Sequence, residues 1–263
     1  MAKATLVTSA SNPVLKEIRR AVARGGRTIE GWMVAETFHL LEEALRSDLA
    51  VPVVVAAEGV RSEVERHVRR LAGVRVLVVS DSLLAKAGST ESAQGVIALV
   101  RPPEWKLDQV FAGVPLVVVL DGVQDPGNAG AIMRAAEAFG ASGALFLKGT
   151  VSPYHPKTIR AAAGSLFRLP FLAGLDAEAV QAALRQRKVC LYATDPRGDV
   201  PLARADLRGP VGLVIGSEAE GVRMRLLEGS VKLRIPTRAV ESLNAAVAAG
   251  VVLYEAARQR TAP

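Results

Sequence analysis

Apolar runs alternate with amphipathic stretches along the whole chain, and this alternation predicts an α/β protein. In the first 100 residues the apolar runs predict strands, and apolar positions three or four apart predict helices. The first helix has a readable start, because Asn12 is a favoured N-cap and Pro13 a favoured first helical residue. The predicted strands cover residues 32–35, 51–57, 74–79 and 96–100, and the predicted helices cover residues 14–23, 38–45 and 60–71.

The same alternation continues after residue 115. Residues 116–120 form a continuous apolar run, as expected of a strand that is buried on both faces of a parallel sheet. Strands that alternate with helices predict a mostly parallel sheet covered by helices on both faces. The further predicted strands are 144–147, 189–193, 211–215 and 231–235, and the predicted helices are 128–139, 156–163, 177–187 and 242–258.

A break in the pattern at residues 101–114 predicts a linker between two domains. Pro102, Pro103 and mixed charges interrupt the periodicity there. We therefore expect a small α/β domain over residues 1–100 and a larger domain over residues 115–263.

The charge of the chain indicates an anionic partner. Its formal net charge is +7 and its pI is about 9.9. Most of the basic residues are arginines, whose planar guanidinium suits phosphate, so nucleic acid is a favoured partner. A coding bias of a GC-rich or heat-adapted source accounts for the arginines equally well, and both explanations stay open.

The cysteine and histidine content and the hydropathy of the chain argue against a disulfide-bonded, a metal-binding and a membrane-spanning protein. The single cysteine, Cys190, cannot form an internal disulfide, so we expect a reducing cytoplasm. The three histidines lie far from it and from one another in sequence, so we expect no metal site. No apolar run approaches the roughly 20 residues of a membrane span, and the N-terminus lacks the apolar core of a signal peptide.

Basic residues cluster on the first predicted helix and around the Gly25-Gly26 turn that follows it. The cluster is either a solvated helix face or a patch that contacts phosphates. Its members are Lys16, Arg19, Arg20, Arg24 and Arg27.

Three loops marked by Gly, Pro or Asn each follow an apolar run in the second half. An open α/β sheet binds its ligand outside the carboxyl ends of its strands, so the loops predict one composite pocket. Their glycine spacing fits neither a dinucleotide fingerprint nor a P-loop. The segments are LVVVLDGVQDPGNAGAIMRAAEAFG (116–140), VGLVIGSEAEGV (211–222) and LRIPTRAVESLNAAVAAG (233–250).

In the first loop, Pro126 and Gly127 suit a type II turn, and Asn128 suits the N-cap of the following helix. Arg134 lies opposite the apolar face of that helix. It faces either solvent alone or an anionic substrate.

The second and third loops also contain signals for helix starts. Ser217 and Glu220 fit a capping box, and Ser242 fits an N-cap. Gly216 permits close approach of a ligand to the main chain. The last helix is rich in small residues, which suits a tight internal or subunit interface or a plain alanine-rich helix. Its apolar seam consists of Leu243, Val247, Gly250 and Tyr254.

Taken in order, the three segments resemble the signature motifs of the SpoU/TrmH family. Its members are RNA ribose 2′-O-methyltransferases of the SPOUT superfamily. The resemblance includes the intervening SPYHPKTIRAAAGSLFRLPF and covers roughly residues 115–260. Residues 10–100, including SNPVLKEIRR and WMVAETFHLLEEAL, more loosely resemble the ribosomal-L30e-like RNA-binding domain of several members.

The resemblance implies a parallel α/β sheet whose C-terminal segment forms a trefoil knot, in a protein that acts as a homodimer. It implies S-adenosylmethionine as methyl donor, held largely by main-chain groups of Gly216, Ile235 and Leu243. Lys157 and Arg160 are candidate RNA contacts, although a solvated helix face accounts for them about as well. The implied polar site residues are Asn128, Arg134, Glu218, Ser242 and Asn244.

The implied activity is methylation of a ribose 2′-hydroxyl in structured RNA, with ribosomal RNA favoured because of the N-terminal domain. Arginine does not deprotonate near neutral pH, so we expect Arg134 to grip a phosphate and polarise the hydroxyl. Asn128 and Asn244 are expected to orient groups, and Glu218 to hold Arg134 or another motif residue.

One departure from the family pattern keeps alternatives open. Only residues 237–241 separate the Ile-Pro from the Ser-Leu-Asn of the third motif, where members usually carry one residue more, often with a glycine. We expect a differently shaped wall of the donor pocket and an effect on donor affinity. The alternatives are a non-catalytic RNA-binding protein that keeps the fold and a tRNA 2′-O-methyltransferase. A nucleotide-binding oxidoreductase is disfavoured, because the glycine fingerprint is absent from the sequence.

Overall fold

The computed structural model describes residues 4–89, 94–218 and 220–261, and the chain divides into two compact units. Unit 1 comprises Met1–Pro103 and Tyr154–Arg168, and unit 2 comprises Glu104–Pro153 and Leu169–Pro263. Residues 154–168 therefore group with unit 1, whereas the sequence pattern assigned them to a domain over residues 115–263.

Strands and helices alternate along both units. The strands are β1 (Ala4–Leu6), β2 (Met33–Ala35), β3 (Val53–Ala57), β4 (Arg75–Val79), β5 (Val96–Val100), β6 (Leu116–Asp121), β7 (Gly143–Leu147), β8 (Phe171–Leu175), β9 (Cys190–Thr194), β10 (Val200–Pro201), β11 (Val211–Gly216) and β12 (Val231–Arg234). The helices are α1 (Pro13–Arg24), α2 (Phe38–Arg46), α3 (Arg61–Val68), α4 (Asp81–Ala87), α5 (Leu107–Val110), α6 (Pro126–Ala138), α7 (Pro156–Ala162), α8 (Ser165–Arg168), α9 (Ala177–Gln186), α10 (Met224–Leu227) and α11 (Ala245–Thr261).

Unit 1 is built on a mixed sheet with the order β1-β4-β3-β5-β2. The β1, β4 and β3 strands run parallel, while β5 is antiparallel to both of its neighbours. Every residue of β3 and β5 is buried, as their apolar runs predict. The predicted start of α1 is confirmed, because the Asn12 side chain accepts the Val14 N–H at 2.9 Å and Pro13 is the first helical residue.

Unit 2 is built on a fully parallel sheet with the order β10-β12-β9-β11-β6-β7-β8. The central strands β6 and β11 are buried along their whole length. The predicted parallel α/β sheet is thus confirmed. Because all strands point the same way, the ends of β6, β9, β11 and β12 open at one edge, where ligands of such sheets bind.

Two of the predicted helix caps are wrong. Asp125, not Asn128, caps α6: its carboxylate accepts the Asn128 N–H at 2.7 Å, and Pro126 is the first helical residue. The Asp125 carboxylate explains the difference, since it satisfies a free N–H of the first turn and lets the helix begin at Pro126, whose fixed φ also suits that position. Asn244, not Ser242, caps α11, and its side-chain oxygen accepts the Ala246 N–H at 3.0 Å.

The capping box predicted at Ser217 is also wrong as a helix start. The Ser217 hydroxyl does accept the Glu220 N–H at 3.0 Å. However, Ser217 and Gly221 exchange two backbone hydrogen bonds, which close residues 217–221 into a tight turn. The next helix begins only at Met224.

The predicted linker over residues 101–114 is not irregular throughout. The predicted linker contains α5, whose Val110 is buried in the core of unit 2. Within residues 4–89, 94–218 and 220–261, every helix is too short or too polar to cross a membrane. The same part of the chain holds no group of His, Cys, Asp and Glu side chains that could bind a metal ion.

Candidate functional site

A cavity of about 1020 Å³ opens in unit 2 beyond the ends of β9, β11 and β12. The first turn of α11 and the irregular segment before it close one side. All three residues expected to hold the donor line this cavity, namely Gly216, Ile235 and Leu243. Glu218, Ser242 and Asn244 line it as well.

Gly216 is needed for a reason that the sequence did not reveal. A Cβ atom added there would lie 2.2 Å from the Gly221 carbonyl carbon and 2.3 Å from the Val222 nitrogen. The 217–221 turn therefore folds back over the end of β11 and fills the space beside Gly216. Its missing side chain admits the protein's own backbone, where we expected only a ligand.

The three motif loops meet in a short chain of side-chain hydrogen bonds. The Asn128 amide nitrogen donates to the Glu218 carboxylate. The Asn244 amide nitrogen donates to the Asn128 side-chain oxygen at 3.1 Å. An amide is required at residue 128, because the same side chain must donate on one side and accept on the other, which neither Ser nor Asp does in the same geometry.

Arg134 and Ser242 stand outside this chain of bonds. Arg134 is exposed on α6, as its position opposite the apolar face predicts. Six residues along a helix amount to about 240° around its axis, so Arg134 does not share a face with Asn128. Glu218 accepts from Asn128, which makes Asn128 the motif residue that it holds.

An ion pair between a buried aspartate and a partly exposed arginine was missed by the sequence reasoning. The Asp121 side chain, at the end of β6, is fully buried. It accepts the Arg223 backbone N–H at 2.8 Å and pairs with the Arg223 guanidinium, which also donates to the Lys148 carbonyl at 3.2 Å. The pair ties the far end of the 217–223 loop to β6. Its signal in the sequence is an acid that ends an otherwise apolar strand.

Some basic residues of α1 form hydrogen bonds or ion pairs within unit 1, and others are exposed. Arg19 donates to the Ala10 carbonyl at 2.6 Å, and Arg20 pairs with Glu17 at 2.7 Å. Lys16 and Arg24 are exposed.

The turn after α1 approaches Tyr154 and His155, which also belong to unit 1. The Arg27 guanidinium lies 4.3 Å from the centre of the Tyr154 ring. Burial raises the pKa of the Tyr154 hydroxyl, and the nearby Arg27 opposes that change. Burial also lowers the pKa of His155, whose Nδ1 accepts the Lys157 N–H at 3.1 Å. A neutral imidazole is required for that bond.

Arg160 is committed to a buried carboxylate within unit 1. It donates to Glu36 at 3.1 Å and to the Ser89 hydroxyl at 3.1 Å, and Glu36 is only 2% exposed. Removing Arg160 would leave that carboxylate buried beside Ser89 alone. Arg160 therefore has a structural role that the sequence did not suggest.

Comparison with known proteins matches both units of the chain. The profile described as the SpoU rRNA Methylase family matches residues 115–254, and that of the MRM3-like substrate binding domain matches residues 12–98. The chain is 30% identical to the 23S rRNA (guanosine(2553)-2'-O)-methyltransferase RlmP of Bacillus subtilis, over 94% of this chain and 97% of the relative.

Two further proteins give the same answer. The chain is 33% identical to the 23S rRNA (guanosine-2'-O-)-methyltransferase RlmB of Ralstonia nicotianae, over 85% of this chain and 94% of the relative. Among solved structures, the AdoMet-bound rRNA methyltransferase of Sinorhizobium meliloti is 30% identical with a TM-score of 0.82, over 97% of this chain and 98% of that chain. This protein therefore belongs to the SpoU rRNA Methylase family.

Proposed function

We propose that this protein transfers the methyl group of S-adenosylmethionine to a ribose 2′-hydroxyl of ribosomal RNA. The observation that carries the proposal is the chain of bonds from Glu218 through Asn128 to Asn244 at the wall of the cavity. Family membership and relatives that are named as 23S rRNA 2′-O-methyltransferases support the same reaction.

The cavity fits the donor in size and in the groups that it offers. Pockets for ligands of this size are typically about 300–1,000 Å³. Gly216, Ile235 and Leu243 line it, and in this proposal their main-chain groups hold the adenosine without side-chain charge. When bound, the donor supplies a methyl group already activated by its sulfonium.

The residues around the cavity act mainly by position. In this proposal the network of Asn128, Glu218 and Asn244, together with Ser242, orients the 2′-hydroxyl for in-line attack. Alignment of two reactants supplies much of the acceleration when the leaving group is already activated. Arg134 grips the phosphate beside the target ribose and polarises the hydroxyl as its proton leaves to solvent.

Unit 1 contributes RNA affinity through its exposed basic residues. We assign this role to Lys16, Arg24 and Arg27, with Arg19, Arg20 and Lys157 adding charge next to the phosphates. Arg160 acts indirectly, because it holds Glu36.

Three finer features complete the proposal. Two copies form a homodimer through the exposed apolar face of α11, the C-terminal segment forms the trefoil knot of the family, and the protein acts in the cytoplasm, where its lone Cys190 stays reduced. Residues 115–263 carry the chemistry and residues 1–100 bind substrate.

Methylation of defined transcripts tests the function. Purified protein and labelled donor are incubated with transcripts of 23S rRNA domains and, separately, with a pool of tRNAs, and 2′-O-methyl sites are located by their resistance to alkaline hydrolysis. We expect one rRNA site and about 100-fold less product with Arg134→Lys, which keeps charge but loses the fork. Product on tRNA alone would overturn the assigned substrate.

Calorimetry distinguishes a methyltransferase from a non-catalytic RNA-binding protein. A non-catalytic RNA-binding protein would bind rRNA and show no heat with the donor at millimolar concentration. Wild-type activity of a folded Arg134→Lys variant would remove Arg134 from the mechanism.

A further inference from the structure

The charged side chains around the cavity are unevenly divided. Four acids line it, and among the described lining residues Arg197 is the single basic one. The acids are Asp195, Glu218, Glu220 and Glu241. This lining suits a cationic small molecule and disfavours the entry of an RNA phosphate.

Arg197 sits in a loop whose backbone is fixed. The Asp195 carboxylate accepts the Arg197 N–H at 2.8 Å, and the Asp195 carbonyl accepts the Gly198 N–H at 2.9 Å. A Cβ atom on Gly198 would lie 2.6 Å from the Lys232 carbonyl oxygen, so this glycine lets the loop pack against β12. The loop therefore presents residue 197 at a set place beside the cavity.

The Arg197 side chain itself is exposed. In the described part of the chain its guanidinium makes no hydrogen bond or ion pair, whereas other arginines of unit 2, such as Arg208 and Arg223, hold a carboxylate. A basic side chain that lines an acidic cavity and has no internal partner is available for an anionic group of a ligand.

We propose that Arg197 binds the carboxylate of the donor's amino-acid moiety. This donor carries a sulfonium and an ammonium that suit the acids, and one carboxylate that needs a cation. The inference rests on the proposal that the donor occupies this cavity, and it assigns one residue to the end of the donor that the main-chain groups do not neutralise.

Calorimetry without RNA tests the assignment with two nucleosides. S-Adenosylhomocysteine carries the carboxylate, whereas 5′-methylthioadenosine has the same adenosine and no amino acid. We expect Arg197→Gln to weaken the binding of S-adenosylhomocysteine by about tenfold, because one charge-assisted bond is lost. The binding of 5′-methylthioadenosine should weaken by less than about twofold. Arg197→Lys should lose only about threefold, because it keeps the charge.

Arg204→Gln is the matched control, since Arg204 is exposed in the same β9–β11 connection and does not line the cavity. It should leave both affinities unchanged. Equal losses for both nucleosides with Arg197→Gln would overturn the proposal in favour of a role in cavity shape. Unchanged nucleoside affinities with weaker rRNA binding would overturn it in favour of an RNA contact. If the wild-type protein binds neither nucleoside, the donor cavity itself is wrong, which is a different result from a failure of Arg197 alone.

Discussion

Among the described residues, the Asn128 side chain joins all three motif loops. Its amide donates to Glu218 and its oxygen accepts from Asn244. Asn128→Ala removes both bonds, and Asn128→Asp sets an oxygen against the Glu218 carboxylate. We expect either change to lower kcat by about 100-fold, because misplacement of reacting groups by about 1 Å costs that much.

The two variants should differ in their dependence on pH. With Asn128→Asp, one proton shared between the two carboxyls restores a donor, so activity should recover in part as the pH falls toward about 5. Asn128→Ala should show no such recovery. A pH profile of kcat with an rRNA transcript measures the difference, and parallel profiles would contradict a direct contact between residues 128 and 218.

The ion pair of Asp121 and Arg223 predicts unequal losses of stability when one or the other partner is replaced. The Asp121 side chain is fully buried, while the Arg223 side chain is 44% exposed. Arg223→Gln leaves a buried carboxylate without its cation and should lower the free energy of unfolding by about 3 kcal/mol. Asp121→Asn leaves a guanidinium that reaches water and should cost about 1 kcal/mol. Urea unfolding measures both, and equal costs would argue against the burial of Asp121 as the cause.

The sequence named the polar residues of the site but not their partners. The resemblance to the family motifs implied Asn128, Glu218 and Asn244, and these three side chains do meet. The pair of Asp121 and Arg223 did not stand out, since its halves are 102 residues apart and only the folded sheet brings them together.

At the scale of the element, the 217–221 turn depends on Gly216. A methyl group on Gly216 would overlap the backbone of Gly221. We expect Gly216→Ala to displace the turn, lower stability by about 1–3 kcal/mol and weaken binding of the donor. Gly209→Ala is the control, because a Cβ there meets no atom within 4 Å, and it should change stability by less than about 0.5 kcal/mol. Thermal unfolding and donor calorimetry compare the two, and a Gly216→Ala variant that matches the control would contradict the close approach.

The junction of α2 and α3 carries a pH dependence. His67 Nδ1 bonds the Glu63 carbonyl at 2.8 Å, and Nε2 bonds the Glu42 carboxylate at 2.9 Å. The Glu63 carbonyl, helped by Glu42, raises the pKa of His67 above its ordinary 6.5, although burial opposes the change. The stabilisation is therefore complete below pH 6.5 and is lost as the pH rises through the raised pKa.

His67→Gln should remove that dependence. The wild-type protein should be more stable than the variant by up to about 1 kcal/mol at pH 6, and the difference should shrink as the pH rises. Urea midpoints from pH 5.5 to 8.5 measure the trend. His39 is exposed, and the His39→Gln variant should keep the wild-type dependence of stability on pH. If the stability difference between the wild-type protein and His67→Gln grew with pH, the bonds from His67 to Glu63 and Glu42 would be contradicted.

Strands that are buried along their whole length were predicted from the sequence, whereas β1 and β8, which are mostly exposed or half-buried, were missed. The apolar runs that became β6 and β11 are buried at every residue. In β8 only Phe171 is buried, and β1 is three residues long with no buried residue, so neither produces a readable pattern. The caps of α6 and α11 were misplaced by three and two residues, because several candidate cap residues adjoin each start.

For the whole molecule, chain order predicted the class of fold but not its connections. A parallel sheet follows from alternating strands and helices, yet β11 lies between β9 and β6, and β12 lies between β10 and β9. Residues 154–168 group with unit 1, where Arg160 meets Glu36, 124 positions earlier in the chain. Such pairings depend on contacts that a local pattern does not contain.

The proposed homodimer would bury an exposed apolar face of α11. Its buried face, including Ala249, Val252 and Ala256, packs inside unit 2, where α11 lies against α6. Its other face leaves Val247 52% and Tyr254 57% exposed, and the Tyr254 ring makes a T-shaped contact with the ring of Phe139, the residue that follows α6. Val251 between them is 37% exposed. Large apolar side chains spaced by about one and two turns on one helix face are costly to leave in water, and a second copy of the same face would cover them.

Negative charges on this face of α11 should therefore dissociate the proposed dimer. We expect the double variant Val247→Glu, Val251→Glu to sediment as a monomer at micromolar concentration while keeping the circular dichroism of the wild-type protein. Leu6→Glu adds a charge at a site in unit 1 that is 63% exposed, and it should remain a dimer. Analytical ultracentrifugation decides the question. A wild-type monomer, or a double variant that stays dimeric, would show that the apolar face of α11 serves another purpose.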